Sequence, residues 1–181
     1  MDKNEIRRRI RARKILLNDE ERHRGAMDVF EQLSKMAAFM MADHVLLYNS
    51  LPDELATREF FDLLPRDKHY YLPRVNGPLL DILPYNAAQM HLGAFRIEEP
   101  DGDDIVDTDR IDLIIVPAVA YDRRGNRVGR GKGYYDRLLR GSRATKVGVC
   151  YPFQIVDEID AEPHDVAVDY IIAGSTVYKC R

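Results

Sequence analysis

The chain has 181 residues, of which 45% are hydrophobic and 31% charged, a composition typical of soluble globular proteins. Its formal net charge of -3 argues against nucleic-acid binding through bulk charge, so any basic site must be local. No apolar stretch is long enough to span a bilayer, and the basic N-terminus lacks an adjacent apolar signal segment. The length is that of one domain, which we expect to span residues 1–181. Cys150 and Cys180 form no CxxC motif, and two lone cysteines suit a reducing compartment, so we expect the protein in the cytoplasm.

The N-terminal segment is predicted to be a basic helix from residue 3 to about 17. Lys3, Arg7 and Arg11 recur at a spacing of four, which places them on one side of the helix, while apolar residues recur on another. A solvated basic face accounts for most of these charges, and a nucleic-acid-binding arm is the second reading. The positive residues of the segment are Lys3, Arg7, Arg8, Arg9, Arg11, Arg13 and Lys14.

A second helix and the first strand–helix unit follow. Asn18 or Asp19 can cap a helix that runs to about Met36. An apolar strand at residues 45–48 and a turn precede a helix expected at residues 56–64. Glu54 then stands at the carboxyl end of its strand, where open α/β sheets bind ligands. It can equally stabilise the helix start.

The middle of the chain is less regular. Residues 69–72 form the next predicted strand, and Pro73-Arg74 follows it. Residues 76–110 are rich in Pro, Gly and Asp and are predicted to contain an edge hairpin and a loop. The acidic part of this loop, residues 101–109, is typical of a solvated surface.

A basic, glycine-rich loop follows a short, nearly uncharged apolar strand at residues 111–116. Such a strand is typical of a parallel strand buried on both faces. Glycines allow close approach to a ligand, and free N–H groups at the following helix start favour an anion. The spacing matches neither the P-loop nor GxGxxG, so phosphate binding and a merely solvated loop both remain open. The loop residues are Gly125, Arg127, Gly129, Arg130, Gly131, Lys132 and Gly133.

The last part of the chain continues the alternation of strands and helices. Strands are predicted at residues 146–150 and 170–173, with a short helix within residues 151–158. His164-Asp165 is compatible with a metal or acid–base site and with a turn-capping Asp beside a surface His. The alternation predicts a three-layer αβα sandwich with a mainly parallel sheet and a ligand site at the carboxyl ends of the strands.

The central string GNRVGRGKGYYDRLL, preceded by DLIIVPAVAYD, closely resembles the signature of the 5-formyltetrahydrofolate cyclo-ligase (5,10-methenyltetrahydrofolate synthetase) family. Shorter matches are spread from Lys3 to about Asp169, including residues 97–100. Tyr121 stands where the family more often has Phe, which keeps the ring.

This resemblance implies ATP- and Mg²⁺-dependent cyclisation of 5-formyltetrahydrofolate to 5,10-methenyltetrahydrofolate, with ADP and phosphate released. Phosphorylation of the formyl oxygen would turn it into a leaving group, and the N10 amine would close the ring. The expected partners are ATP and the folate, without nucleic acid or a membrane, and the chain is expected to be a monomer.

The resemblance also assigns residues. Arg130 and Lys132 would be catalytic, and Asp136 with Asp165 would bind Mg²⁺. Substrate contacts would come from Glu54, Arg130 and Tyr134. ATP contacts would come from Lys3, Arg7, Arg127, Gly129, Arg130, Gly131, Lys132, Gly133, Tyr134 and Tyr135.

Two other classes of function remain open. A non-catalytic member of the same fold could bind nucleic acid through the basic N-terminal helix, without ATP turnover. A sugar-phosphate isomerase or acyl-carrier transferase on a similar scaffold would ignore ATP and need a carboxylate poised for its chemistry. The intact loop through Asp136 disfavours both.

Overall fold

A computed structural model describes residues 1–88, 90–93 and 98–181. The strands are β1 (His44–Leu46), β2 (His69–Asn76), β3 (Leu79–Pro84), β4 (Met90–Leu92), β5 (Glu98–Pro100), β6 (Leu113–Val116), β7 (Ala120–Tyr121), β8 (Arg127–Val128), β9 (Thr145–Cys150), β10 (Tyr170–Ala173) and β11 (Thr176–Lys179). The α-helices are α1 (Lys3–Lys14), α2 (Asp19–Lys35), α3 (Ala37–Met41) and α4 (Tyr134–Leu139). Short 3₁₀ helices span Thr57–Leu63, Thr108–Arg110 and Pro152–Gln154.

The central sheet has seven strands in the order β11-β10-β9-β6-β1-β2-β3. Every neighbouring pair from β10 to β2 is parallel. Both edges are antiparallel, because β3 and β11 each return directly beside the strand before them. The predicted α/β class with a mainly parallel sheet is therefore confirmed. The edge hairpin expected within residues 76–110 is formed by β2 and β3, of which only β3 lies wholly in that range.

Side chains of β6 alternate between two buried layers, which explains its uninterrupted apolar sequence. Leu113 and Ile115 pack in a core with α2, α3 and the first 3₁₀ helix. Ile114 and Val116 face the opposite layer, where Leu139 of α4 also packs. The sheet thus lies between two helical layers, as predicted.

Helix α1 lies against the small hairpin formed by β7 and β8. Ile6 and Ile10 are buried in a cluster with Val119 and Val128. The Asp2 side chain caps the helix by accepting a hydrogen bond from the backbone N–H of Glu5 at 3.2 Å. Tighter turns continue the helix to residue 17, which accounts for the longer predicted span. This packing fixes α1 beside the glycine-rich loop that follows β8.

One predicted helix has a different type in the structure, and several short elements were not predicted. The segment expected as an α-helix at residues 56–64 is a 3₁₀ helix at Thr57–Leu63, in which Thr57 and Phe60 are buried. Their spacing of three residues suits the tighter helix. Strand β11 is largely exposed at the sheet edge and was not predicted. None of the helices within the described ranges combines the length and apolar character needed to cross a membrane.

Candidate active site

A cavity of about 710 Å³ lies at the carboxyl ends of the central strands. Its walls come from segments that follow β1 and β6, from β2, from α1 and from the glycine-rich loop. Every residue predicted for the site lines this one cavity. They are Lys3, Arg7, Glu54, Arg127, Gly129, Arg130, Gly131, Lys132, Gly133, Tyr134, Tyr135, Asp136 and Asp165.

The glycine-rich loop is held at its far end by Arg137, which the sequence analysis did not single out. Gly133 precedes α4 with a φ of +71°, a conformation that L side chains rarely adopt. Arg137 donates hydrogen bonds to the carbonyl of Lys132 at 2.7 Å and to that of Pro78 at 2.8 Å. The loop is thereby tied to the β2–β3 turn, with the N–H groups at the start of α4 beside the cavity.

Arg127 is a buried cation on β8, at 8% exposure. Its Nε finds no hydrogen-bond partner in the part of the chain that the structure describes. The guanidinium carbon lies 5.6 Å from the centroid of the Tyr135 ring. A buried donor without an acceptor is costly, so this group is suited to an anionic ligand.

Arg130 forms an ion pair with Asp53, on the turn that follows β1. Burial lowers the pKa of the Arg130 guanidinium, and the neighbouring charge of Arg11 lowers it further. Lys132 is exposed at the tip of the loop. The two predicted catalytic residues therefore differ, because Arg130 is held by Asp53, whereas the Lys132 side chain has no partner in the part of the chain that the structure describes.

Helix α1 contributes two side chains with different partners. Arg7 donates from Nε to the carbonyl of Gly129 at 2.8 Å, which supports the backbone of the loop. Lys3 Nζ lies 2.6 Å from Asp165 Oδ2. Partial burial raises the pKa of the Asp165 carboxyl, but hydrogen bonds from the Glu162 backbone and from Lys3 outweigh it, so the pKa is lowered overall.

Asp136 and Asp165 are neighbours. Asp136 Oδ1 accepts a hydrogen bond from the backbone N–H of Val166 at 3.1 Å, which places it next to residue 165. No group of three or more His, Cys, Asp or Glu suited to a metal occurs among residues 1–88, 90–93 and 98–181. Mg²⁺ needs no such group, because it is usually held by one or two carboxylates with phosphate and water. The two carboxylates fit that pattern.

Glu54 is almost completely buried, at 7% exposure, on the wall of the cavity. Its Oε1 accepts a hydrogen bond from the Leu51 N–H at 2.8 Å. Burial raises the pKa of the carboxyl to about 7, although that hydrogen bond and the charges of Lys14 and Arg127 oppose the rise. A carboxyl with this pKa can exchange a proton near neutral pH.

Lys14 is the residue that the sequence analysis misplaced. It is one of seven cations for most of which a solvated basic face was expected, whereas the structure buries it to 3% exposure. Burial lowers the pKa of its amine to about 8, against the opposing influence of Glu54. A signal was present, because Ile6, Ile10 and Lys14 repeat every four residues and so continue the buried stripe of α1.

Strand β5 closes another side of the cavity, which Glu98 and Glu99 line. Glu99, also buried, accepts a hydrogen bond from the Val75 N–H at 2.7 Å. Arg74 donates to the carbonyl of Gly102 at 2.8 Å and so holds the segment that follows β5. Of the family match at residues 97–100, Ile97 lies outside the described residues.

Comparison with known proteins identifies the family of the chain. Residues 1–174 match the model of the 5-formyltetrahydrofolate cyclo-ligase family. The chain belongs to this family. The 5-formyltetrahydrofolate cyclo-ligase of Escherichia coli K12 is 28% identical over 180 residues, covering 94% of this chain and 99% of that protein.

Solved structures agree with the family assignment. The NMR structure of Aquifex aeolicus 5,10-methenyltetrahydrofolate synthetase superposes with a TM-score of 0.89 at 34% identity, covering 99% of this chain and 93% of that one. A 5,10-methenyltetrahydrofolate synthetase from Mycoplasma pneumoniae shares the fold, with a TM-score of 0.76 at 22% identity over 97% of this chain and 100% of that one.

Proposed function

We propose that the protein catalyses the ATP- and Mg²⁺-dependent cyclisation of 5-formyltetrahydrofolate to 5,10-methenyltetrahydrofolate. One observation carries the proposal: residues from α1, the β1 turn, the glycine-rich loop and the segment before β10 meet in one cavity of a cyclo-ligase family member. We also expect a cytoplasmic monomer that does not bind nucleic acid.

The nucleotide would bind on the side of the cavity formed by α1 and the loop. Arg127 supplies a buried guanidinium whose Nε still needs an acceptor. Further phosphate oxygens would accept hydrogen bonds from Lys3, from Arg7 and from the backbone N–H groups of residues 131–135. Phosphoryl transfer asks a protein mainly for positioning and charge stabilisation, which this side of the cavity is built to provide.

Asp136 is the better placed of the two predicted metal ligands. Its Oδ2 accepts no hydrogen bond within the described residues, whereas Asp165 is already paired with Lys3. Asp136 would therefore hold Mg²⁺, and Asp165 would hold Lys3 and a water ligand in place. The ion supplies positive charge that neutralises phosphate oxygens.

The reaction needs the formyl oxygen to become a leaving group. Transfer of the γ-phosphoryl group of ATP to that oxygen releases ADP and makes the formyl carbon electrophilic. The N10 nitrogen then attacks this carbon and loses its proton, and inorganic phosphate leaves with the oxygen. Arg130 and Lys132 would stabilise the charge on the phosphoryl group during both steps.

The folate would occupy the side of the cavity that contains Glu54 and Tyr134. With its pKa near 7, Glu54 can accept the N10 proton as the ring closes. The Tyr134 ring can flank the pterin. Its hydroxyl donates to the carbonyl of Gly77 at 3.3 Å, which connects it to the β2–β3 turn.

The test is a spectroscopic assay with purified protein, 5-formyltetrahydrofolate, ATP and MgCl₂ under mildly acidic conditions. The product has a charged N–C–N bridge conjugated to the aromatic amine, so near-ultraviolet absorbance should rise while ADP forms one for one. Omitting ATP or the metal should abolish the signal. ATP consumption without the chromophore would refute the folate assignment, and absence of both from folded protein would refute the proposal.

A further inference from the structure

A second, smaller cavity of about 70 Å³ lies between α1 and the glycine-rich loop. Four of its lining side chains are cationic, and Asp53 is the only carboxylate among the described residues that line it. The cations are Arg7, Arg11, Lys14 and Arg130. Arg7 and Arg130 also line the large cavity, whereas Arg11 and Lys14 do not line it.

Two of the four cations already have partners. Arg7 is bonded to the carbonyl of Gly129 and to the Asn4 side chain, at 2.8 and 2.7 Å. Arg130 is paired with Asp53. The Asp53 carboxylate is thus already paired with Arg130.

The remaining two cations are not balanced. Lys14 is 3% exposed, and its Nζ has no hydrogen-bond partner in the described chain. Arg11 makes no ion pair within the same residues, and its charge lies close enough to Arg130 to disfavour the charge there. Glu54 attracts Lys14 through the protein interior but lies beyond ion-pair distance of it. Burying an ammonium group without hydrogen-bond acceptors destabilises the folded protein. The cavity therefore lacks an acceptor and a negative charge for Lys14.

We propose that this cavity is a binding site for a tetrahedral oxyanion of the size of inorganic phosphate. Its volume is well above the roughly 10–15 Å³ that one water needs, so a group of five heavy atoms can enter. Water alone could satisfy the hydrogen bonds of Lys14 but would leave the positive charges uncompensated. An oxyanion supplies both acceptors and negative charge, and its oxygens can meet Arg11, Lys14 and Arg130 together.

The inference concerns binding and does not depend on the proposed reaction. Phosphate from solution and phosphate released in the neighbouring cavity have the same chemistry, and the site would accept either. Because Arg130 lines both cavities, an anion in the small one would compete with Asp53 for that guanidinium.

The experiment is isothermal titration calorimetry of the full chain with inorganic phosphate at low ionic strength. Lys14→Met and Arg11→Met each remove a cation that lines only the small cavity, whereas Lys132→Met removes one that lines only the large cavity. Loss of one charge-assisted hydrogen bond should weaken phosphate binding at least about tenfold in the first two variants. Lys132→Met should leave the small-cavity dissociation constant within about threefold.

Several outcomes would overturn the inference. They are the absence of phosphate binding to the unchanged protein, equal affinity in all variants, or a loss confined to Lys132→Met. If Lys14→Met failed to fold, Arg11→Met would still decide, because Arg11 is exposed and its replacement disturbs no core contact. Cyclisation activity, measured separately, would not change any of these outcomes.

Discussion

Replacing Glu54 by Gln should stabilise the protein at alkaline pH. In the folded protein burial raises the pKa of Glu54 from 4.5 to about 7. A group with a raised pKa favours the folded state fully only below its unfolded pKa, and this contribution is lost as the pH rises through the folded pKa. Gln is neutral at every pH and can still accept the hydrogen bond from the Leu51 N–H. The free energy of unfolding of the variant therefore does not fall with the ionisation of residue 54.

The magnitude follows from the two pKa values. At about 1.4 kcal/mol per pH unit, the penalty on the wild-type free energy of unfolding reaches about 3 kcal/mol at pH 8. At pH 5, only slightly above the unfolded pKa, it is about 1 kcal/mol. For a chain of this length, the difference at pH 8 corresponds to a rise of about 6–12 °C in Tm. The attraction of Glu54 to Lys14 and Arg127 is already contained in its pKa.

Urea unfolding at pH 5 and pH 8, followed by far-ultraviolet circular dichroism, measures this difference. Glu31→Gln is the matched control, because Glu31 is an exposed carboxylate paired with Lys35 on α2, and its loss should change stability by less than about 1 kcal/mol at either pH. The reasoning is refuted if Glu54→Gln is less stable than the wild type at pH 8, or if its advantage is the same at both pH values. The same variant should lose about two to four powers of ten in cyclisation rate, because Gln cannot accept a proton.

Three further predictions address the phosphate and metal side of the large cavity. Lys132→Ala should leave the circular dichroism spectrum unchanged and lower kcat by about two to four powers of ten. Near-normal activity would mean that Lys132 is only a solvated surface residue. Asp136→Asn should move the Mg²⁺ titration of activity to much higher concentration, whereas an unchanged titration would mean that Asp136 only holds the backbone of Val166. Lys3→Ala should weaken ATP binding about tenfold in calorimetric titrations, and the exposed Arg8→Ala, which removes the same charge, should not; equal losses would indicate a non-specific electrostatic effect.

The parallel core of the fold was predictable because each strand is an apolar run with flanking turn residues. Tyr170–Ala173 has the predicted bounds, and Thr145–Cys150 begins one residue before the predicted strand. The strand order was not predictable, since register depends on which apolar faces meet in three dimensions. Strand β11 carries little apolar signal because it lies at an edge and pairs on one side only.

Most of the predicted site residues belong to one contiguous motif, but the sequence did not reveal the surroundings of these residues in the fold. That Arg127 and Lys132 are close in the chain is visible in the sequence, whereas the burial of Arg127 depends on tertiary packing, with α1 in contact with β8 and the Tyr135 ring beside the guanidinium. Lys14 shows the same limit more clearly. Its position among many other cations suggests a solvent-exposed side chain, and only the packing of α1 against the β7–β8 hairpin shows that it is buried. The ion pair of Lys3 with Asp165 spans nearly the whole chain and leaves no local trace in the sequence.

The buried charges around the two cavities destabilise the folded protein. Their presence therefore indicates that they serve ligand binding. Lys14, Glu54 and Arg127 are each removed from water without full compensation, in a protein whose net stability should be only about 5–15 kcal/mol. Apolar residues of similar size would make a more stable core, as they often do when they replace buried ion pairs. A ligand that supplies the missing partners binds the folded state alone, so its binding free energy offsets the cost whenever its concentration exceeds its Kd. The same groups that weaken the empty protein are therefore those from which anionic ligands draw affinity, and stability gained by neutralising Glu54 or Lys14 should come with a loss of binding or turnover.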